Sequence, residues 1–172
     1  SQYRRARRRK FIKIHAGINI NTRHVLFNKL TTSRVSDISV LPEAIDNVGS
    51  KIDTLFADGG YDSRSSYLLP DSDTKVVIPP RKNAATDKCT NQRNEAISYI
   101  RKHRKSRWKR EFDYHQRALV ENLFSRWKTI YGENIRSKNS QAQQTEVTLK
   151  SFILNKMTDL GMPEWKRIYF LN

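Results

Sequence analysis

The stretch from Tyr114 to Lys128, YHQRALVENLFSRWK, constrains the chain more than any other, because its polar and apolar residues separate at helical period. With about 100° between successive residues and Tyr114 at zero, the side chains of Tyr114, Arg117, Glu121 and Lys128 point to roughly 0°, −60°, −20° and −40°. A carboxylate then shares a narrow stripe with a phenol and two cations, an arrangement suited to handling phosphate and metal together. Leu119, Val120, Leu123, Phe124, Trp127, Ile130 and Tyr131 form the broad stripe that a helix buries against a core. The segment predicts one amphipathic helix with its polar stripe at the edge of the buried face.

Upstream the period changes from helical to two. Phe11 to Asn19 sets Phe11, Lys13 and His15 against Ile12, Ile14, Ala16 and Ile18, and a turn at Asn21, Thr22 and Arg23 leads to a second strand over His24 to Thr32. The two predict an antiparallel hairpin. Ser36, Asp37 and Ser39 are cap candidates for a helix through Leu41, Ala44, Ile45 and Val48, with Pro42 in its first turn and Gly49 ending it. Ile52 to Ala57 reads as a short buried parallel strand delivering Asp58 at its C-terminal end, the place where open α/β sheets build sites. Gly59 and Gly60 permit a sharp turn and a close backbone approach there.

A short helix capped by Asp62 or Ser63 runs through Tyr67 and Leu68 to Pro70, and Lys75 to Pro79 is a further buried strand. Residues 81–113 form a basic insert with a helix over Asn91 to Arg104. In it Trp108, among Lys105, Arg107, Lys109 and Arg110, reads equally as a nucleic-acid contact or as a pin to the body. Gly132 to Gln144 reads as a loop and Thr145 to Leu160 as a last amphipathic helix. The order of elements predicts a mixed α/β layer fold in a single domain, with a basic arm over 1–10 and a tail over 164–172.

Charge is segregated along the 172 residues. Ser1 to Arg34 holds ten basic residues and no acid, Asp37 to Pro80 eight acids and three bases, and Arg81 to Lys128 fourteen bases and five acids. The net charge of +16 points to a polyanionic partner, and an acidic block between basic flanks suits metal-dependent phosphoryl transfer on nucleic acid. Carboxylates would hold the metal while cations hold the backbone. Cys89 has no second cysteine to pair with, which suits a reducing compartment. No apolar run approaches the roughly 18 residues that span a bilayer, so an intracellular, cytoplasmic protein without a membrane partner is expected.

The spacing Tyr114, Arg117, Glu121, Lys128 resembles the Y-(2)-R-(3)-E-(6)-K signature of DDE transposases of bacterial and archaeal insertion sequences, in the insertion-sequence-four/five superfamily. FADGGYDS at Phe56 to Ser63 is similar to the block in which that family's second catalytic aspartate ends a strand, and SDISVLPEAID to the block before it. The resemblance implies a ribonuclease H-like fold, a mixed sheet flanked by helices, over residues 11–163. It implies Asp58 and Glu121 as catalytic metal ligands for Mg²⁺ or Mn²⁺, with Tyr114, Arg117 and Lys128 binding DNA. The partner would be double-stranded DNA at transposon ends and target, and synapsis of two ends implies, by analogy, a homodimer.

The family's first aspartate lies on a strand before the hairpin, and no acidic residue precedes Asp37 here. The chain is therefore expected to be a truncated catalytic domain lacking its first strand, with its true start upstream, which by itself binds DNA without cutting it. Two other readings stand beside this one. The chain could be an inactive remnant that binds nucleic acid through Arg4 to Lys10 and Arg101 to Arg110, or a cellular ribonuclease H-like nuclease, to which the Y-R-E-K spacing is not general. Asp37 and Asp62 read as helix caps, and the four histidines as surface or strand packing.

Overall fold

A computed structural model describes residues 12–49, 51–88 and 90–161. The basic arm, Cys89 and the C-terminal tail lie outside them. The order is β1 (Ile12–Ile18), β2 (Val25–Thr32), α1 (Leu41–Val48), β3 (Thr54–Phe56), α2 (Arg64–Leu68), β4 (Lys75–Val77), α3 (Asn91–His103), α4 (Lys105–Glu111), α5 (Ala118–Tyr131) and α6 (Ser140–Asp159). Short 3-10 turns lie at Asp37–Val40, Gly59–Tyr61 and Tyr114–Arg117.

The hairpin forms as the alternation demands. β1 and β2 pair antiparallel from Ile12↔Thr32 to Gly17↔Phe27, with a register shift before Ile18↔Val25. Ile14, Ala16 and Ile18 turn one face of β1 into a core shared with Val25 and Leu30 of β2, Leu123 and Trp127 of α5, and Val147 and Leu154 of α6. Lys13 and His15 occupy the other face, where Lys13 Nζ donates to Asp37 Oδ1 at 2.9 Å and His15 Nε2 meets Thr31 Oγ1 at 2.8 Å.

β3 and β4 pair in parallel over three residues each, and β4 sorts its side chains between two layers. Val76 and Ile78 pack with Tyr67 of α2, while Val77 packs with Ala96 of α3 and Trp108 of α4. The strands are shorter than the apolar runs that announce them. β4 runs into Pro79 and Pro80, which have no N–H to extend a ladder, and β3 turns away at Asp58.

A single mixed sheet is not observed. Among the described residues the strands make two separate two-stranded sheets. Helix amides occupy the outward edge of one strand in each. Asn155 accepts from Val25 N at 2.7 Å and donates to Val25 O at 3.0 Å. Gln144 accepts from Leu30 N at 2.8 Å and donates to Asn28 O at 3.2 Å. Gln92 does the same for β4, accepting from Val76 N at 2.7 Å and donating to Thr74 O at 2.9 Å. Each amide offers one acceptor and donors like a peptide group, so it stands in for a neighbouring strand and blocks pairing there.

Two helix boundaries also differ from the sequence reading. α6 begins at Ser140, because Asn139 caps it by accepting from Ala142 N at 2.7 Å. Residues 140–144, the end of the polar run that reads as loop, begin this helix, with Gln144 turned toward β2. The stretch expected as one helix from Tyr114 is instead a 3-10 turn over Tyr114–Arg117 followed by α5. Asp113, at φ 52°, sits in the left-handed region before it, and Tyr114 is drawn against the Trp108 ring.

Candidate functional site

Asp58 follows β3 at the C-terminal edge of the parallel pair and caps the Gly59–Tyr61 turn, its Oδ1 accepting from Gly60 N at 2.7 Å. The two glycines are demanded by close approach. A Cβ on Gly60 would stand 2.8 Å from Asp58 Oδ1, and one on Gly59 would stand 3.3 Å from the Pro79 carbonyl. One oxygen of the carboxylate is thereby held by backbone, which fixes the rotamer.

Glu121 lies in the first turn of α5 and accepts from Arg117 Nη1 at 2.5 Å. Tyr114 stands within the field of both carboxylates. Burial pushes its hydroxyl pKa up; Arg117 pulls it back, and Asp58 and Glu121 raise it again. Burial works against the Arg117 charge, but the hydrogen bond to Glu121 and then the charges of Tyr114, Glu121 and Asp58 outweigh it and raise its pKa. β3 packs against the Tyr114–Arg117 turn, so Asp58 just past the strand end and Glu121 at the helix start, 63 positions apart, both act on Tyr114. Lys128 does not join their contacts. Two helical turns further along α5, it is exposed and ion-paired to Glu133 Oε1 at 3.0 Å. The 3-10 geometry, about 120° per residue, also removes Tyr114 and Arg117 from the angular register that one continuous helix would give.

Asp37 and Asp62 are not the helix caps that the sequence suggests. Asp37 faces β1, bonded to Lys13 and 3.5 Å from His15 Nδ1. Its charge reaches Tyr61, whose pKa is pushed up to about 12 by burial, then by Asp37 and Asp58. Ser63 caps α2 instead. The Asp62 side chain is fully buried, accepting from Arg93 Nε at 2.7 Å and from Arg81 N at 2.8 Å. Arg93 also donates to the Ala85 carbonyl at 2.8 Å. This ion pair ties the residue after the Gly59–Tyr61 turn to α3 and to the chain leaving β4. Sequence reasoning missed it because the partners are 31 positions apart and neither sits in a periodic pattern.

The basic insert resolves the two readings of Trp108. It is buried at 1% exposure, stacked on Phe112 at 5.4 Å and against Tyr114 at 5.6 Å, so it pins the insert to the back of the site. The cations around it are exposed, Lys109 with its Nζ 5.6 Å from the Tyr114 ring.

Among the described residues no group of three or more His, Cys, Asp or Glu is arranged to hold a metal ion. Asp58 and Glu121 offer oxygen donors alone, the donor chemistry of a hard divalent ion that shares its ligands with substrate phosphate. The family model of the transposase DDE domain matches residues 1–156. The chain belongs to that family. No solved structure matches it. Membership in the transposase DDE domain family implies DNA substrates, and the described residues contain no helix long and apolar enough to cross a membrane.

Proposed function

We propose that this chain supplies part of the catalytic centre for metal-dependent cleavage and strand transfer at insertion-sequence ends, within a ribonuclease H-like frame of the insertion-sequence-four/five type. The observation that carries the reading is the packing of β3, which ends just before Asp58, against the turn that leads into α5 and Glu121, in a member of a transposase family. Asp58 and Glu121 would hold Mg²⁺ or Mn²⁺. Bound there, the ion would supply Lewis-acid stabilisation of phosphate oxygens and a more acidic attacking water.

The remaining work falls to the cations. Arg117 orients Glu121 through its hydrogen bond and keeps further guanidinium donors for a phosphate oxygen. Lys128, on the same helix but outside that contact, acts as a point charge on the flanking backbone once released from Glu133. Tyr114 offers a hydroxyl that stays protonated and can donate to phosphate.

A second reading is an inactive DNA-binding remnant of a transposase, on which the 172-residue chain binds duplex DNA without cutting it. The centre itself is tested by Fe²⁺-mediated hydroxyl-radical cleavage of the polypeptide. Scission near residues 58 and 121, lost in Glu121→Gln, supports the metal reading, and scission unchanged by that substitution sinks it. Mg²⁺-dependent DNA cleavage by the same chain, abolished in Glu121→Gln, would overturn the inactive part.

A further inference from the structure

The corner between α3 and α4 carries the densest exposed charge of the described chain. Arg101, Lys102, Arg104, Lys105, Arg107, Lys109 and Arg110 are all exposed. Glu111 is engaged by Tyr99, and Arg107 lies 3.8 Å from it. Among the described residues none of Lys102, Arg104, Lys105, Lys109 and Arg110 has a carboxylate partner. Neighbouring carboxylates elsewhere take up many of the cations, as Asp37 takes Lys13, Glu43 takes Lys29 and Glu146 takes Lys150.

The aromatic residues of this region do the opposite. Tyr99, His103, Trp108, Phe112 and Tyr114 are all buried or half-buried and pack on one another, Tyr99 on His103 at 4.8 Å and on Phe112 at 5.6 Å, Trp108 on Phe112 and Tyr114. Single-strand binding surfaces combine cations with exposed rings on which bases stack. Here Trp108 is buried and the other rings are half-buried, with Lys109 Nζ 5.6 Å from the Tyr114 ring, and the exposed side chains of the corner are mainly cations, Glu111 being the exposed carboxylate of α4.

Resting on the transposase reading above, we propose that the outer face of the α3–α4 corner is a docking surface for the phosphate backbone of duplex DNA, one that reads neither bases nor single strands. Arg104, at φ 72°, turns the chain between the two helices, so cations from the end of α3 and from α4 lie on one bend. The buried side of α4 is the Trp108 contact to Tyr114, so backbone held on its outer side lies over the layer that supports the acidic centre.

The test compares two triple variants of the 172-residue chain with equal loss of charge: Lys105→Ala with Lys109→Ala and Arg110→Ala, and a control of Lys51→Ala with Lys138→Ala and Lys156→Ala. All six side chains are exposed, so both variants should keep the fold, checked by circular dichroism. Binding of a fluorescent 30-base-pair duplex and of its single strand is followed against salt. Each phosphate contact contributes about 0.9 to the slope of log K on log salt, so the insert variant should lose two to three units of slope on duplex and the control less than one.

Duplex should bind at least about tenfold more tightly than the single strand. Equal slope losses in the two variants, or a single strand bound as tightly as duplex, would overturn the proposal. Glu121→Gln separates it from the catalytic reading. That variant should lose the metal-directed scission, while the insert triple should keep the scission and lose the slope.

Discussion

The hairpin half and the half that carries Asp58 are stabilised in different ways. β1 and β2 pair along their whole length and bury a continuous face against α5 and α6, so neighbours in sequence make the sheet and two long helices cover it. β3 and β4 pair over only three residues each, and side chains complete what the ladder leaves open. Thr74 Oγ1 donates to Ile52 O at 2.7 Å, Tyr67 donates to Ile78 O at 2.9 Å, Gln92 bonds the outer edge and Asp62 with Arg93 locks the turn. Glu121 sits on α5, whose Leu123 and Trp127 belong to the hairpin core, whereas Asp58 hangs on the three-residue ladder. The proposed acidic centre would therefore join one carboxylate from the better packed half to one from the half that depends on individual polar contacts.

That contrast is open to direct attack. Trp127→Ala should have the largest effect, a loss of about 3–5 kcal/mol in urea unfolding, because the ring is shared by the hairpin, α5 and α6. A loss under about 1 kcal/mol would mean that the hairpin half is not the main core. Arg93→Ala should come next, at about 3 kcal/mol, since it leaves the buried Asp62 carboxylate without its partner. Hydrogen exchange should then quicken in β3 and β4 while β1 and β2 stay protected; uniform loss would deny that the halves differ.

Gln92→Ala should cost about 1–2 kcal/mol by leaving Val76 N–H and Thr74 C=O without their amide partner. The smallest effect is one of pH. Burial holds the His15 pKa below 6.5, with Asp37 opposing it in part, so the unfolded chain takes up the proton more readily than the folded one. The stability that the neutral ring contributes is complete above pH 6.5 and is lost as pH falls toward the folded value. His15→Gln should flatten that limb of the stability curve. Glu146 is held down to about 2 by Lys150 and by the N–H groups of Ser137 and Arg136, so its contribution is lost only as pH falls from 4.5 toward 2.

Much of the secondary structure was legible because its causes are local. Alternation in residues 12–32 gives the hairpin, Gly49 at φ 62° stops α1, and Ser63 accepting from Ser66 N starts α2. The misses share another cause. The polar start of α6 looks like loop until Gln144 is seen to need Leu30, and the 3-10 turn at Tyr114 follows from a ring contact with Trp108, which no periodicity encodes.

The sequence by itself determined most of the elements, the segregation of charge and the Y-R-E-K spacing, because each is read along the chain and needs no contact between distant segments. Only the tertiary structure decided that there are two small sheets among the described residues, that Asp62 is buried against Arg93, and that Trp108 faces in while its basic neighbours face out. Those outcomes turn on which distant side chain reaches an open backbone edge or a buried charge first. Such competition is settled by packing, and local pattern carries no record of it.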